Sequence, residues 1–222
     1  MVVLLALKVG LAPALIATAS TVARRAGPAA GGRLVGLPLT TGPVAAVLAV
    51  QEGPGFVARL AAGSLAGVTA QAAFAATYGR RCERAGWPRA LLAAGGAFAA
   101  TAAALLACRL SIPALAACAL ASLPLALRAS PPAGVPPVRG PAADLRLRMA
   151  LAAALVLAIT TIAPLTGPRA AGVVTCFPLM GALLAVFAHR EHGPAAAIAV
   201  CRGMLAGLFS FAVFALGLTA LA

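Results

Sequence analysis

The sequence predicts an all-α, polytopic membrane bundle of about eight transmembrane helices with an inverted internal repeat, and three observations carry that prediction. First, hydrophobic residues make up 63% of the 222-residue chain and charged residues 9%, with a mean hydropathy of +1.04. That leaves too little polar surface to cover a soluble globule. Second, apolar segments near the twenty residues that cross a bilayer as helix recur along the whole chain. Third, one stretch is used twice at a constant offset: Gly27-Pro28 falls on Gly167-Pro168, Gly32 on Gly172, Pro38-Leu39 on Pro178-Leu179 and Gly53-Pro54 on Gly193-Pro194. Gly63, Leu65, Ala66, Gly67 and Phe74 likewise meet Gly203, Leu205, Ala206, Gly207 and Phe214. Roughly a third of the positions are identical, and many of these are Gly or Pro, whose backbone roles are specific.

In order, the spans are expected at 2–21, 29–50, 55–78, 90–108, 110–127, 149–166, 170–188 and 195–222. The first contains Lys8. A cleaved signal peptide competes for that segment, but no basic region precedes the apolar run, and Arg24-Arg25 follow it. The second span carries Gly36, Pro38, Gly42 and Pro43 around Thr40-Thr41, and the third opens with Arg59 and contains Gln71. The fourth and fifth are joined so closely that they form a hairpin. The Pro-rich stretch 130–141 is the one real linker, too short for a domain. The chain is thus a single membrane domain over 1–222, with copy one at 8–78, the hairpin and linker at 79–147, and copy two at 148–218.

The net charge of +13 would suggest nucleic acid in a soluble protein, but here the arginines sit in short clusters between apolar segments. With the N-terminus outside, the cytoplasmic loops collect Arg24, Arg25, Arg33, Arg80, Arg81, Arg84, Arg89, Arg128, Arg139, Arg146, Arg148, Arg190 and Arg202, and the other side only Arg59, Arg109 and Arg169. Both termini are then external. Span one corresponds to span six, two to seven and three to eight. Because an odd number of crossings separates each pair, the two copies lie upside down relative to each other.

Pro38 and Pro178 fall at matching points within their spans, where each removes a backbone hydrogen bond. Paired interruptions of this kind line the central substrate site of secondary transporters. The candidate substrate-binding residues are therefore Pro38, Thr40, Thr41 and Gly42 in copy one, Pro178, Met180 and Gly181 in copy two, and Gln71, whose amide needs a partner in hydrocarbon. A plain proline kink and an interhelical hydrogen bond are the plainer alternatives. Lys8 joins the list as a cation at the head of its span, equivalent to Arg148; both could hold an anionic group or snorkel to the interface. Gln51-Glu52 and Glu191-His192 occupy equivalent turns, so Glu52, Glu191, His189 and His192 are the candidates for proton coupling, against the plainer role of solvated loop charges. Gly63-x-x-x-Gly67 and Gly203-x-x-x-Gly207 are read as helix packing.

No metal site, catalytic residue or cofactor is expected. His189-Arg-Glu-His192 is not a His-Glu-x-x-His zinc helix, and Cys82, Cys108, Cys118, Cys176 and Cys201 include no C-x-x-C pair. Phosphate-loop, nucleophile-elbow and dinucleotide fingerprints are missing from the sequence, so an enzyme is not expected.

At Ala171-Gly172, Phe177-Pro178 and Ala188-His189, with Lys8 in the first span, the chain resembles small four-helix bacterial inner-membrane proteins of the GlpM type. The resemblance covers roughly Lys8 to Cys108 and again Arg148 to the end. It implies two such units fused, the second lacking its fourth helix, in a multi-pass protein of the bacterial inner membrane, with a link in at least one case to exopolysaccharide production. It carries over no catalytic residue. The expected function is a small secondary transporter or flippase working by alternating access, and the alternative is a non-catalytic membrane subunit or scaffold of envelope or exopolysaccharide biosynthesis. Expected partners are the lipid bilayer, a small-molecule or lipid substrate, and a second copy or a partner membrane subunit; nucleic acid is not expected.

Overall fold

The chain is described here from a computed structural model, which places residues 2–38, 54–133, 145–162 and 176–220. Thr40, Thr41, Gly42 and Glu52 lie outside the described residues, as does the side chain of Lys8. All regular structure among the described residues is helical: α1 (Val2–Ala26), α2 (Pro28–Gly36), α3 (Pro54–Arg81), α4 (Trp87–Cys108), α5 (Ile112–Ala129), α6 (Leu145–Ile162), α7 (Leu179–His192) and α8 (Pro194–Ala220).

The helix starts follow the repeat. Pro54 opens α3 and its equivalent Pro194 opens α8, each using a fixed φ where the first N–H has no partner to lose. Pro13 inside α1 and Pro124 inside α5 are carried within continuous helix. Gly27 alone joins α1 to α2, with φ +92°, and Gly193 alone joins α7 to α8, with φ +82°. Such backbone suits glycine, which has no Cβ to clash. The α4–α5 hairpin turns through Arg109, whose left-handed φ of 46° closes α4, and Pro113 lies in the first turn of α5.

Two helices depart from the expected spans. The second span was expected to run from 29 to 50 through Pro38, but α2 stops at Gly36 and the chain bends at Leu37-Pro38. The seventh was expected from 170, but α7 starts only after Pro178, which caps it with φ −76° and ψ 54°, while Leu179 N–H donates to Phe177 C=O at 2.7 Å. This is an inverse γ-turn. Both prolines thus stand at helix ends rather than at kinks within continuous helix. At about 1.5 Å per residue, nine-residue α2 and fourteen-residue α7 each fall short of a 30 Å hydrocarbon core. Among the described residues three helices, Trp87–Cys108, Ile112–Ala129 and Pro194–Thr219, are long and apolar enough to cross a membrane.

Among these three, α8 is central, with 67% of its most apolar window buried, against 17% for α4 and 28% for α5. The hairpin turns Leu92, Leu120 and Leu125 outward. It packs on α3, and α5 also touches α8. The closest pair is α2 on α8. Cβ atoms added at Gly36 and at Gly207 would each come within 2.9 Å of the other residue's Cα, and one at Gly203 would lie 2.8 Å from the carbonyl carbon of Ala29. Glycine is required on both faces for the backbones to approach so closely.

This contact has a counterpart with the copies exchanged. At the repeat offset, Gly36 becomes Cys176 and Gly207 becomes Gly67, and a Cβ on Gly67 would lie 2.7 Å from Cys176 Sγ. Cys176 also hydrogen-bonds the side chain of Ser64. Ser64 is equivalent to Met204, against whose backbone Gly36 packs. Helix α2 therefore packs on α8, and Cys176, at the position offset from Gly36, packs on α3.

Candidate functional site

The polar centre of the described structure forms where α7 ends. Arg148 sits one turn into α6 and is only 5% exposed, although its side chain is long enough to snorkel. Its Nη2 donates to Glu191 Oε1, and Nη1 lies 3.4 Å from Ser20 Oγ on α1. The guanidinium is also stacked over Phe187, with Cζ 4.4 Å from the ring centroid. Phe187 and Glu191 are four residues apart and so share one face of α7. That spacing offers the arginine a ring and a carboxylate together. Arg148 Nε is buried and finds no acceptor among the described residues.

Around this pair the last turn of α7 gathers further polar groups. His192 Nδ1 is 4.0 Å from Glu191 Oε2. His189 Nδ1 is 3.3 Å from the Tyr78 hydroxyl of α3, with the two rings edge to face. Burial holds the His189 imidazole below the ordinary histidine range, so it is neutral near pH 7. Arg190 lies 5.9 Å from both the Trp87 and Phe187 rings, linking α7 to the start of α4. Arg190 in the last turn complements the negative end of the helix dipole.

An aromatic column connects this end to the Pro178 turn. Phe74 stacks near Tyr78 at 6.2 Å and meets Phe177 edge to face at 6.0 Å, and Phe98 meets Phe177 at 5.2 Å. Gly67, Gln71, Phe74 and Tyr78 recur at helical spacing, so buried Gln71 lies on the face of α3 that meets Cys176, Phe177 and His189. The structure thereby brings Gln71 and Pro178 to one side of α3. Gly181 packs under the sulfur of Met204, and Met180 is half-buried against the core. Gly63 and Gly67 are buried in α3, and Gly203 and Gly207 in α8. Pro38 is half-buried at the far end of α2 from Gly27. Glu191 and His192 come together beside Arg148, His189 turns to Tyr78 on α3, and Gln71 and Pro178 lie along the aromatic column.

Sequence reasoning missed Tyr78, Phe187 and Ser20. For Phe187 a signal existed in its spacing from Glu191; for Tyr78 and Ser20, which meet partners 111 and 128 residues away, there was none. Among the described residues no group of three or more His, Cys, Asp or Glu side chains could hold a metal ion.

Among its described residues this is an all-helical protein with three helices long and apolar enough to cross a membrane, in which buried Arg148 pairs with the partly exposed Glu191. No family model matches the chain, and comparison with curated proteins and with solved structures finds no similar protein.

Proposed function

We propose that the chain is a small secondary transporter or flippase whose two copies are inverted in the membrane and alternate access to a central site. The observation that carries this reading is buried Arg148, held by the partly exposed Glu191. Ion pairs are rare and costly inside membrane proteins and sit on substrate or ion pathways by default. The exchanged Gly36–Gly207 and Cys176–Gly67 contacts support a two-fold relation between the copies, the arrangement that lets one half rock against the other.

In this reading the pair is a latch at the cytoplasmic end, tying the first helix of copy two to its short second helix. Protonation of Glu191, beside His192, releases Arg148 and opens that end. Lys8 occupies the position equivalent to Arg148, and Glu52 the one equivalent to His192, so copy one carries a cation and a carboxylate for the opposite face. Substrate lies between the two proline ends, near Pro38, Thr40, Thr41 and Gly42 on one side and Pro178, Met180, Gly181 and Gln71 on the other.

The test is thiol accessibility in a Cys-less background with single Thr40→Cys, Thr41→Cys, Gln71→Cys and Met180→Cys substitutions, using impermeant reagents on each side of sealed vesicles. Labelling from both sides, shifted toward the cytoplasmic side by Glu191→Gln, is expected. Protection from both sides at all four positions refutes transport. It then favours the second reading, a non-catalytic subunit or scaffold of envelope biosynthesis, to which the GlpM-type resemblance belongs. One observation favours that alternative: a Cβ at Gly95, Gly96 or Gly217 would meet nothing within 4 Å, so these glycines face outward, as helix contacts to a partner require.

A further inference from the structure

A second polar feature lies apart from the α7 cluster. A cavity of about 330 Å³ opens where α1 turns into α2, lined by Gly27, Ala29, Arg33, Leu127, Arg202 and Ala206 among others. Among the described residues its lining holds two guanidinium groups and no carboxylate. Arg202 is fixed in place because its Nη1 donates to the carbonyls of Leu127 at 2.9 Å and Ser130 at 3.0 Å, at the C-terminal end of α5. Carbonyls carry only partial charge, so the cation is not neutralised. The N-terminus of α2, with Pro28 in its first turn, opens on the same space and adds positive potential. Arg24, Arg25 and Arg128 lie in the last turns of α1 and α5, whose ends form the rim. Positive charge in a low-dielectric cleft focuses the field on whatever anion enters.

What leaves the cavity identifies the source of that anion. Arg202, Ala206, Ser210, Val213 and Gly217 recur at helical spacing on α8. Ala206, Ser210, Val213 and Gly217 are all exposed, and a Cβ at Gly217 would meet nothing within 4 Å. They form an open lane of small and apolar residues that begins at Arg202 and runs about 22 Å down the helix. That exceeds the roughly 15 Å depth of one leaflet's hydrocarbon. We propose that this cavity binds the phosphate of an anionic lipid headgroup, with an acyl chain lying along the α8 lane. The site uses the membrane orientation of the reading above but not transport, and its failure would leave the α7 latch untouched.

The experiment measures thermal protection of the full chain in detergent by added phosphatidylglycerol, phosphatidylcholine or inorganic phosphate. Phosphatidylglycerol is expected to raise the melting temperature and phosphatidylcholine to leave it unchanged. Arg33→Gln, which removes an exposed guanidinium with no helix-capping bond in the described structure, is expected to weaken the apparent affinity about tenfold, the loss of one charge-assisted contact. Ser210→Trp fills the lane and is expected to weaken phosphatidylglycerol while sparing any phosphate response. Equal protection by both lipids, or an Arg33→Gln protein that responds as the wild type does, overturns the site. Protection by inorganic phosphate as strong as by phosphatidylglycerol, with Ser210→Trp without effect, overturns the lipid assignment in favour of a free anion.

Discussion

Replacing Gly203 by Ala tests the seam between α2 and α8 with a single methyl group. The added Cβ would lie 2.8 Å from the carbonyl carbon of Ala29 and nearer still to its oxygen, where ordinary contact begins at 3.4 Å. Helix α2 would have to retreat by at least 0.6 Å, and it has little room, because Gly36 and Gly207 already meet backbone to backbone one turn further along. Overpacking of this kind costs about 1–3 kcal/mol, and the obstacle here is main chain, which cannot rotate away as a side chain would. Alanine's better helix propensity returns up to about 1 kcal/mol. The net expectation is about 2 kcal/mol, roughly thirtyfold in the folded-to-unfolded ratio. The assay is the folded fraction of the full chain in mild detergent, followed by size exclusion against temperature, with Gly95→Ala as control. Among the described residues nothing beyond its own helix backbone lies within 4 Å of a Cβ at Gly95, so the control is expected to match or exceed the wild type. A Gly203→Ala protein within about 0.5 kcal/mol of the wild type would refute the argument from close packing.

Gly67→Ala should destabilise for the same reason on the exchanged side, and adding Cys176→Gly should restore much of the loss, since the equivalent position in copy one is already Gly36; additive losses in the double variant would count against the exchanged contact. Glu191→Gln leaves Arg148 buried without its carboxylate and should cost about 3 kcal/mol in the same assay, at the low end for a broken buried pair because the Glu191 side chain is 26% exposed. A loss under 1 kcal/mol would show that the pair is not desolvated. His189 sits below its ordinary range because of burial, so the stability it contributes is present above pH 6.5 and is lost as pH falls through its folded-state value. Melting temperature should drop between pH 7 and pH 5, and drop less in His189→Gln; identical curves would dismiss the group. Burial, with Glu83 nearby, pushes the Cys82 thiol up to about 11, so at pH 8 exposed Cys108 should react with maleimide well before Cys82, as peptide mapping would show.

Much of this architecture was legible before any coordinates. Gly-Pro pairs at 53–54 and 193–194 mark helix starts because proline is accepted at the first helical position and rejected further in, and the structure opens α3 and α8 there. The Gly203 and Gly207 pair was read as packing, and its partner is now visible as Gly36 and the Ala29 backbone. What the sequence concealed depended on distance along the chain. Proline at 38 or 178 reads equally as a kink or as a stop, and only the surrounding fold decides that α2 ends and α7 begins. Arg148 near a helix end reads as a snorkelling cation because nothing local reveals Glu191 and Phe187 folding over it. The candidate site was thus half visible: Glu191, His189 and His192 stood out as the rare polar residues of an apolar chain, while Tyr78 and Ser20 became relevant only once helices far apart in sequence were side by side.

The single-residue joints at Gly27 and Gly193 make the molecule a linkage rather than a string of helices with loops between them. A joint of one residue has two rotations and no slack. Helix α2, about 13 Å long, is therefore a short lever clamped at its root by α1 and along its flank by α8. Length errors cannot be absorbed there. One residue gained or lost before Gly32 within α2 would turn Gly32 and Gly36 by about 100° and face them away from α8. Movement is subject to the same constraint, because any swing of the Pro38 end has to be taken up as rotation at Gly27 or as sliding along Gly203 and Gly207. At this corner the backbone works as a hinge and a rail.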